Sequence, residues 1–489
     1  MTSLDKKAVE RMKSITIRDG VMLHHIEDIK FKTTTLGVYV HRPLCAQDAS
    51  KNALLPMVLR RGSERYPTFT DIERRLCDLC GAVLDTGVTK KGEDEILCFN
   101  ISTISDQYYT GEDNILFSCA DLLFDLLLHP KTEHGVFTEA YVGSEKENLC
   151  DMIDALVNDK QSYALWRLYE VMCADEAYGV HEYGTREAAE QITAAELWSY
   201  YQTLLKTSRI DIFVCGSADI DTFAQKARQA FAEVETSGAA YPATEQVRRV
   251  GEVKEVVDTF DTNQAKLSLG FRITQETPYA DLLVANSIWG SGPHSKLFNN
   301  VREKLSLAYY AFSRLERYKG TILVGMGIEP QNKQKAFDET LLQLKTIQEG
   351  DVSESEFTAA KAFLINLLQS QKDSQYAMID FSLGALIRGG ECWLVGLHIH
   401  PYSHGGVWNR DPDRRRRLLL HRKEIDFLDG KLRNRGYALV PLELYFNTDG
   451  RVKLLLGLGR GKKLYDKRED MAKRDVQREI DRALKERNR

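Results

Sequence analysis

The sequence has no apolar run approaching the ~20 residues needed to span a bilayer, which excludes a helical membrane span. Its first residues, Met1 to Glu10, are charged and carry no apolar signal segment, so a cytoplasmic chain is expected. A disulfide framework is missing too. The nine cysteines are an odd number, scattered through apolar stretches such as Leu97-Cys98-Phe99 and Phe213-Val214-Cys215, as thiols buried in a reducing compartment would be. Cys77 and Cys80 form one CxxC without a second pair or a nearby histidine, and both read as core positions on a helix. His24-His25, His129 and His134 lack the i,i+4 spacing that sets two imidazoles on one helix face, so surface or core roles are expected of all four.

What the chain has is length and a charge boundary. Its 489 residues suffice for about three domains, and 43% hydrophobic with 28% charged content fits a globular protein. From Glu391 to Arg489 there are 24 Lys+Arg against 15 Asp+Glu, a net of +9. The remaining residues hold 42 basic and 56 acidic groups, a net of −14. An acidic body with a basic tail is the pattern of a nucleic-acid-binding module joined to an ordinary domain.

Residues 1–388 use one layout twice. Strands are expected at Ser14–Arg18 and Thr33–Val40, helices at 50–61 and 69–80, and a hairpin from Ala82–Thr89 to Glu95–Ser102. Helices at 113–129 and 134–157 and the β-branched run Arg209–Cys215 complete the first copy. After a Gly/Ala/Pro-bearing joint at Ser237–Thr244, the second copy has strands at Val253–Phe260 and Ala265–Phe271 and helices at 278–289 and 294–304. A hairpin from Ala308–Leu315 to Gly320–Ile328 follows, then helices at 331–348 and 354–370.

Two phrases at matching places in this repeat resemble the pitrilysin/insulinase family of zinc peptidases and processing-peptidase subunits. They are Arg60-Arg61-Gly62-Ser63-Glu64-Arg65-Tyr66-Pro67 and Lys296-Leu-Phe-Asn-Asn-Val-Arg302-Glu-Lys-Leu-Ser-Leu-Ala-Tyr309. The resemblance implies two homologous α/β domains over about residues 10–385. It also implies a helix carrying HxxEH, where two histidines bind zinc and the glutamate activates its water. In this chain Ala53, Pro56 and Met57 stand at those three positions, and no His or Glu lies between Ser50 and Arg61. Glu145 and Glu147, on the helix that would supply a third ligand, read as solvated carboxylates. The residues matching Arg302 and Tyr309 hold substrate backbone in active relatives. Here they are candidates for peptide binding, with strand packing for Tyr309 and a carboxylate partner for Arg302 as the plainer reading. An inactive, non-metal homologue is expected.

The basic part opens with an apolar run at Trp393–Pro401, where His398 and His400 share one strand face; polar packing there is preferred to a metal pair. Asp411-Pro412-Asp413 signals a helix start before Arg414–Leu420, with one cationic and one apolar face. Gly436–Phe446 and Val452–Leu458 read as paired strands across a turn at Asn447–Gly450. From Asp470 to Arg489 seven basic residues occur among few large apolar ones, a segment that would order on a polyanion.

Trp393-Leu-Val-Gly-Leu-His-Ile-His-Pro401-Tyr, Asp411-Pro412 through Leu420, and Gly461-Lys-Lys-Leu-Tyr-Asp-Lys-Arg-Glu469 are similar to the SmpB family, the SsrA-binding proteins of bacterial ribosome rescue. By this resemblance a small barrel grips transfer-messenger RNA and the tail enters the ribosome's empty mRNA channel. Gly461, Lys462, Lys463, Tyr465, Asp466, Lys467 and Arg468 correspond to the tail's functional segment, flanked by Arg460, Lys473 and Arg474 as further RNA-binding candidates. Tyr465 would stack on rRNA bases while the cations neutralise phosphates. That similarity starts at Gly389-Gly390-Glu391, mid-domain, so the first barrel strands are expected to be missing.

The expected class is α+β. Two peptidase-like domains span 1–236 and 245–388, the second truncated. A partial OB-type (oligonucleotide-binding) β-barrel follows at 391–458, and a basic, partly helical tail at 459–489. Two functions stay open. One is an SsrA-binding protein of trans-translation, partnered by transfer-messenger RNA and the ribosome. The other is an inactive peptidase-family subunit that binds peptides or pairs with an active homologue, the tail being a passenger. Neither needs a cofactor, a metal or a membrane.

Overall fold

The computed structural model describes residues 12–111, 114–236, 239–275, 277–388, 392–394, 416–418, 428, 437–446 and 452–460. It divides into two units, Thr2–Ile387 and Arg388–Arg489.

In the first unit the strands are β1 (Met12–Arg18), β2 (Val21–Ile26), β3 (Thr33–Pro43), β4 (Val83–Lys91), β5 (Asp94–Ile104), the short pair β6 (Thr132–Glu133) and β7 (Val136–Phe137), and β8 (Arg209–Cys215). The main sheet has the order β1-β2-β8-β3-β5-β4. β8 is parallel to β2 and antiparallel to β3, so its β-branched run lies between two neighbours and is buried on both faces. No strand was expected at β2. Its Val-Met-Leu-His-His-Ile is covered on both faces and shows no alternation; only Asp19-Gly20, with Gly20 at φ +77°, signals the hairpin. The expected helix at 134–157 begins later, at Glu139, because His134 and Gly135 both take positive φ in the β6–β7 turn.

Helices α1 (Ala49–Leu59), α2 (Phe69–Asp78), α3 (Ile115–Leu128) and α4 (Glu139–Ala155) contribute to a core that includes Leu36, Val38 and Val40 of β3. Four more helices occupy ground the sequence pattern leaves unassigned: α5 (Lys160–Met172), α6 (Arg186–Gln191), α7 (Ala194–Thr207) and α8 (Ile220–Ala230). Each starts at a capping side chain, Asp159, Thr185, Thr193 and Asp219 respectively. Cys77 and Cys80 are exposed, not core. The buried residues of α2 are Ile72 and Leu76, which leaves Cys77 off that face, and Cys80 follows the helix at φ +58°.

The second half has β9 (Ala265–Arg272), β10 (Ala308–Glu316) and β11 (Thr321–Ile328) in the order β10-β11-β9. Its helices are α9 (Tyr279–Gly290), a π-helical segment at Leu297–Lys304, α10 (Lys333–Gln348) and α11 (Glu354–Ser370). Trp289, Leu297, Val324 and Met326 form its core. These strands repeat β3, β4 and β5. Val253–Phe260, expected as a strand, has no regular structure. In the first half the corresponding β2 pairs with β8. No equivalent of β8 follows in the second half among the described residues, so this stretch has no strand there to form a ladder with, and Val253 is 95% exposed.

A final helix, α12 (Gln375–Arg388), belongs to neither repeat's core. Ile379 and Leu383 pack on Phe213, Cys215 and Tyr39, on the face of the first sheet opposite the main helices. Gln375 fixes it there: its amide nitrogen donates to the Thr33 and Cys215 carbonyls at 2.9 and 2.7 Å. Its amide oxygen accepts from the Thr33 and Thr35 hydroxyls, both at 2.9 Å.

In the second unit β12 (Cys392–Leu394) pairs with β13 (Arg416–Leu418), and β14 (Tyr437–Phe446) with β15 (Val452–Arg460). The second pair agrees with the expected hairpin. Arg416–Leu418 is a strand and not the expected helix, because ladder bonds to Cys392–Leu394 override the weak local preference of an Arg-rich run. The described residues form two separate two-stranded pairs and no closed barrel. His398, His400, the Asn447–Gly450 turn and the tail from Gly461 lie outside them.

An isolated two-stranded pair is marginally stable in water, and Val440, Leu442, Tyr445 and Leu455 are between 45% and 62% exposed. Amides of Tyr437–Phe446 are therefore expected to exchange with deuterium at least tenfold faster than those of Leu36–Val40, which sit in mid-sheet. Equal protection of the two strands would refute this.

Candidate functional site

α1 and α4, the two helices that the peptidase resemblance implies as metal-ligand helices, pack together. α1 is apolar where ligands would be needed. Ala53 and Pro56 are buried and Met57 packs half-buried against the main core. From α4, Glu145 is buried while Glu147 is exposed. Glu145 is thus not the solvated carboxylate the sequence suggests. It pairs with Arg61 at 3.2 Å and accepts from Asn148 at 3.1 Å. The Arg61 guanidinium also lies over the rings of Phe69 and Tyr141, so an arginine meets the carboxylate that a metal would otherwise meet. Among the described residues no group of three or more His, Cys, Asp or Glu could hold a metal ion.

Beside this region Asn52 donates to Glu95 at 2.8 Å and accepts from the Tyr200 hydroxyl at 2.6 Å. Burial pushes the Glu95 carboxyl up to about 8, against the opposing pull of the Asn52 hydrogen bond.

A second polar cluster was not singled out in the sequence. His41 Nδ1 bonds Asp94 at 2.7 Å and its Nε2 pairs with Asp211 at 3.2 Å, all three side chains being fully buried. Asp211 also meets His24 at 3.1 Å, Arg209 at 3.3 Å and the Tyr241 hydroxyl, which donates at 2.6 Å. Burial alone would lower His41, but Asp94 and Asp211 outweigh it and raise it to about 9. Burial likewise opposes the Asp211 charge, and Arg209, His24 and His41 overcome it to hold the carboxyl well below its ordinary value. Tyr241 lies in the joint between the halves, so this cluster anchors the joint to the first sheet. The signal available was β-strand alternation interrupted by charge, in His41-Arg42 and Arg209-Ile-Asp211. Of the other histidines, His24 and His25 are buried and bonded, while His129 and His134 are exposed.

The peptide-binding candidates sit apart from that cluster. Arg302, in the π-helical segment, lies 3.5 Å from Glu303 and over the Phe298 ring. Tyr309 on β10 is 51% exposed, with its hydroxyl 3.4 Å from Glu329. Among the tail candidates, Arg460 ends β15, and Gly461, Lys462, Lys463, Tyr465, Asp466, Lys467, Arg468, Lys473 and Arg474 fall outside the described residues.

Two related α/β halves with an apolar helix in place of the ligand helix define a metallopeptidase fold without its catalytic centre. The chain matches the family model "Peptidase M16 inactive domain" over residues 191–364 and "SmpB protein" over residues 376–486. It is 33% identical over 365 residues to a probable inactive metalloprotease, YmfF of Bacillus subtilis, covering 74% of this chain and 85% of that one. It is 58% identical over 104 residues to an SsrA-binding protein of Pelobacter propionicus, covering 21% of this chain and 68% of the relative. A solved structure of a conserved Enterococcus faecalis protein superposes with a TM-score of 0.68 at 31% identity, covering 76% of this chain and 88% of that one. The chain therefore belongs to the inactive M16 metallopeptidase family through its body and to the SmpB family through its C-terminal part, as a fusion of the two. Its peptidase-like body is not an enzyme. The SmpB match begins at residue 376, ahead of Gly389 and within α12.

Elemental analysis of the purified chain is accordingly expected to find no stoichiometric zinc. Bound zinc accompanied by chelator-sensitive peptide hydrolysis would overturn that.

Proposed function

We propose that this protein binds transfer-messenger RNA through its C-terminal part and acts in trans-translation in the cytoplasm, with the stalled ribosome as its second partner. The observation that carries the reading is the 58% identity to an SsrA-binding protein over 104 residues. The net charge of +9 over Glu391–Arg489 supplies the electrostatic attraction that any such RNA contact needs. In this reading residues 391–458 are a partial OB-type barrel that places the RNA. Arg460 to Arg468, with Lys473 and Arg474, form the tail that follows the RNA backbone, and Tyr465 stacks on a base. The body, 1–236 and 245–388, is a non-catalytic carrier. Because the barrel lacks its first strands, affinity for transfer-messenger RNA falls below that of an intact SsrA-binding protein.

The test is a titration of the full chain with transfer-messenger RNA and with an unrelated RNA of equal length, at two salt concentrations. Preference for transfer-messenger RNA that survives at the higher salt supports the reading. Equal weak binding to both RNAs rejects it. A second reading rests on Tyr309 and Arg302, both partly exposed: the body holds an extended peptide or pairs with an active homologue. Tyr309→Ala would then weaken peptide capture and leave RNA binding unchanged.

A further inference from the structure

Among the described residues the second half has a sheet edge at β9 where the first half has a further strand. In the first sheet β3 is paired on both sides, by β5 and β8. Among the described residues its equivalent β9 is paired by β11 alone. The exposures follow: Leu36, Val38 and Val40 of β3 are at 0%, whereas no residue of β9 is fully buried. Leu267, Leu269 and Phe271 reach the core only partly covered.

The chain leading into β9 adds apolar surface. It is held at the Val247 carbonyl, which accepts from Arg272, and at Asp258, which accepts from Tyr163 and Arg167 of α5. Between these anchors Val250, Val253, Val256 and Val257 are 51–95% exposed. A free strand edge flanked by exposed valines is a template for another strand.

β9 is also self-complementary. A side chain at Gly270 would run into Met172 and Leu168 of α5, so Lys266, Ser268, Gly270 and Arg272 share that face, and Ala265, Leu267, Leu269 and Phe271 share the core face. An antiparallel two-fold centred on Ser268 sets Leu267 against Leu269 of the second copy and Ala265 against Phe271. Lys266 then stands opposite Gly270, and no like charges face each other. Moving the axis to between two residues would pair core-face with outer-face side chains, which fixes the parity of the register.

We propose that a second copy of this chain docks on β9, pairing β9 with β9 about Ser268 into a continuous six-stranded sheet across the dimer. The surface is independent of the RNA reading, and nuclease treatment with high salt keeps the two apart in the test. Under those conditions the full chain should sediment at twice its monomer mass. Ser268→Lys, which sets two cations face to face on the axis, should shift the dimer dissociation constant at least tenfold toward monomer. Ser268→Cys should form an intermolecular disulfide on mild oxidation that the parent chain, with its exposed Cys77 and Cys80, does not form. Should Ser268→Lys fail to fold, the cross-link decides. A monomeric parent at tens of micromolar overturns the proposal. So does a dimer that neither variant alters, or a monomer that captures only a different chain at this edge.

Discussion

Removing residues 459–489 is expected to abolish most ribosome association and most RNA affinity while the body stays folded. Residues 461–489 carry eleven Lys+Arg. If about half of them touch phosphates, the logarithmic salt slope on single-stranded RNA should fall by ~4, at ~0.7 per contact. Between 50 and 200 mM salt the full chain would then lose about two orders of magnitude in affinity that the shortened chain does not lose. Tyr465→Ala separates stacking from charge. It should cost ~1–3 kcal/mol of binding with an unchanged salt slope. Ribosome association that persists after the deletion would rule out the tail as the contact.

Asp211→Ala is expected to destabilise the first half by ~3–5 kcal/mol, the usual cost of removing one partner from a buried charge cluster. The substitution leaves Arg209 and His41 without their shared carboxylate and removes the acceptor that the Tyr241 hydroxyl bonds at 2.6 Å. Asp221→Ala, which removes the exposed partner of Lys13, should change little by comparison. The pH dependence has a definite sign. His41 is raised from 6.5 to about 9, so its contribution is complete below 6.5 and is lost as pH rises through about 9. That loss is on the order of 3 kcal/mol. Glu95, raised from 4.5 to about 8, adds to the same decline, because folding opposes its ionisation between those values. Asp211 acts on the other limb: its lowered pKa gives stability present above 3.8 and lost as pH falls below it. Urea midpoints measured from pH 6 to 9.5 should therefore fall steadily. A flat profile over that range would show that His41 is not held as the imidazolium.

Much of the fold was legible because the two halves repeat strong local patterns. The hairpin at Val83–Ile104, the amphipathic stretch at Ile115–Leu128 and the run at Arg209–Cys215 all announce themselves in residue alternation or composition. What escaped depended on neighbours distant in sequence. Val253–Phe260 has strand composition but no strand partner among the described residues, while Arg416–Leu418 has an Arg-rich run that pairs with Cys392–Leu394 instead of coiling. The absence of HxxEH was readable in Ala53, Pro56 and Met57 alone. The replacement of metal charge by Arg61 at Glu145 was not, since it joins residues from α1's end and α4 through tertiary packing. The His41 cluster escaped for a similar reason: its members lie on β2, β3, β5, β8 and the joint, and only the folded sheet assembles them.

The Gln375 clamp also bears on how the chain is made. The face of the first sheet formed by Tyr39, Phe213 and Cys215 is complete as soon as β8 has been synthesised, but its cover, α12, ends only at Arg388. At ~5–20 residues per second, the ribosome needs roughly 10–35 s to cross that interval. For that period an apolar sheet face stands open on the nascent protein, and the segment that will close it has not yet left the exit tunnel. A chain released before residue 388 would keep that face bare, as a patch of exposed apolar surface on an otherwise folded first half.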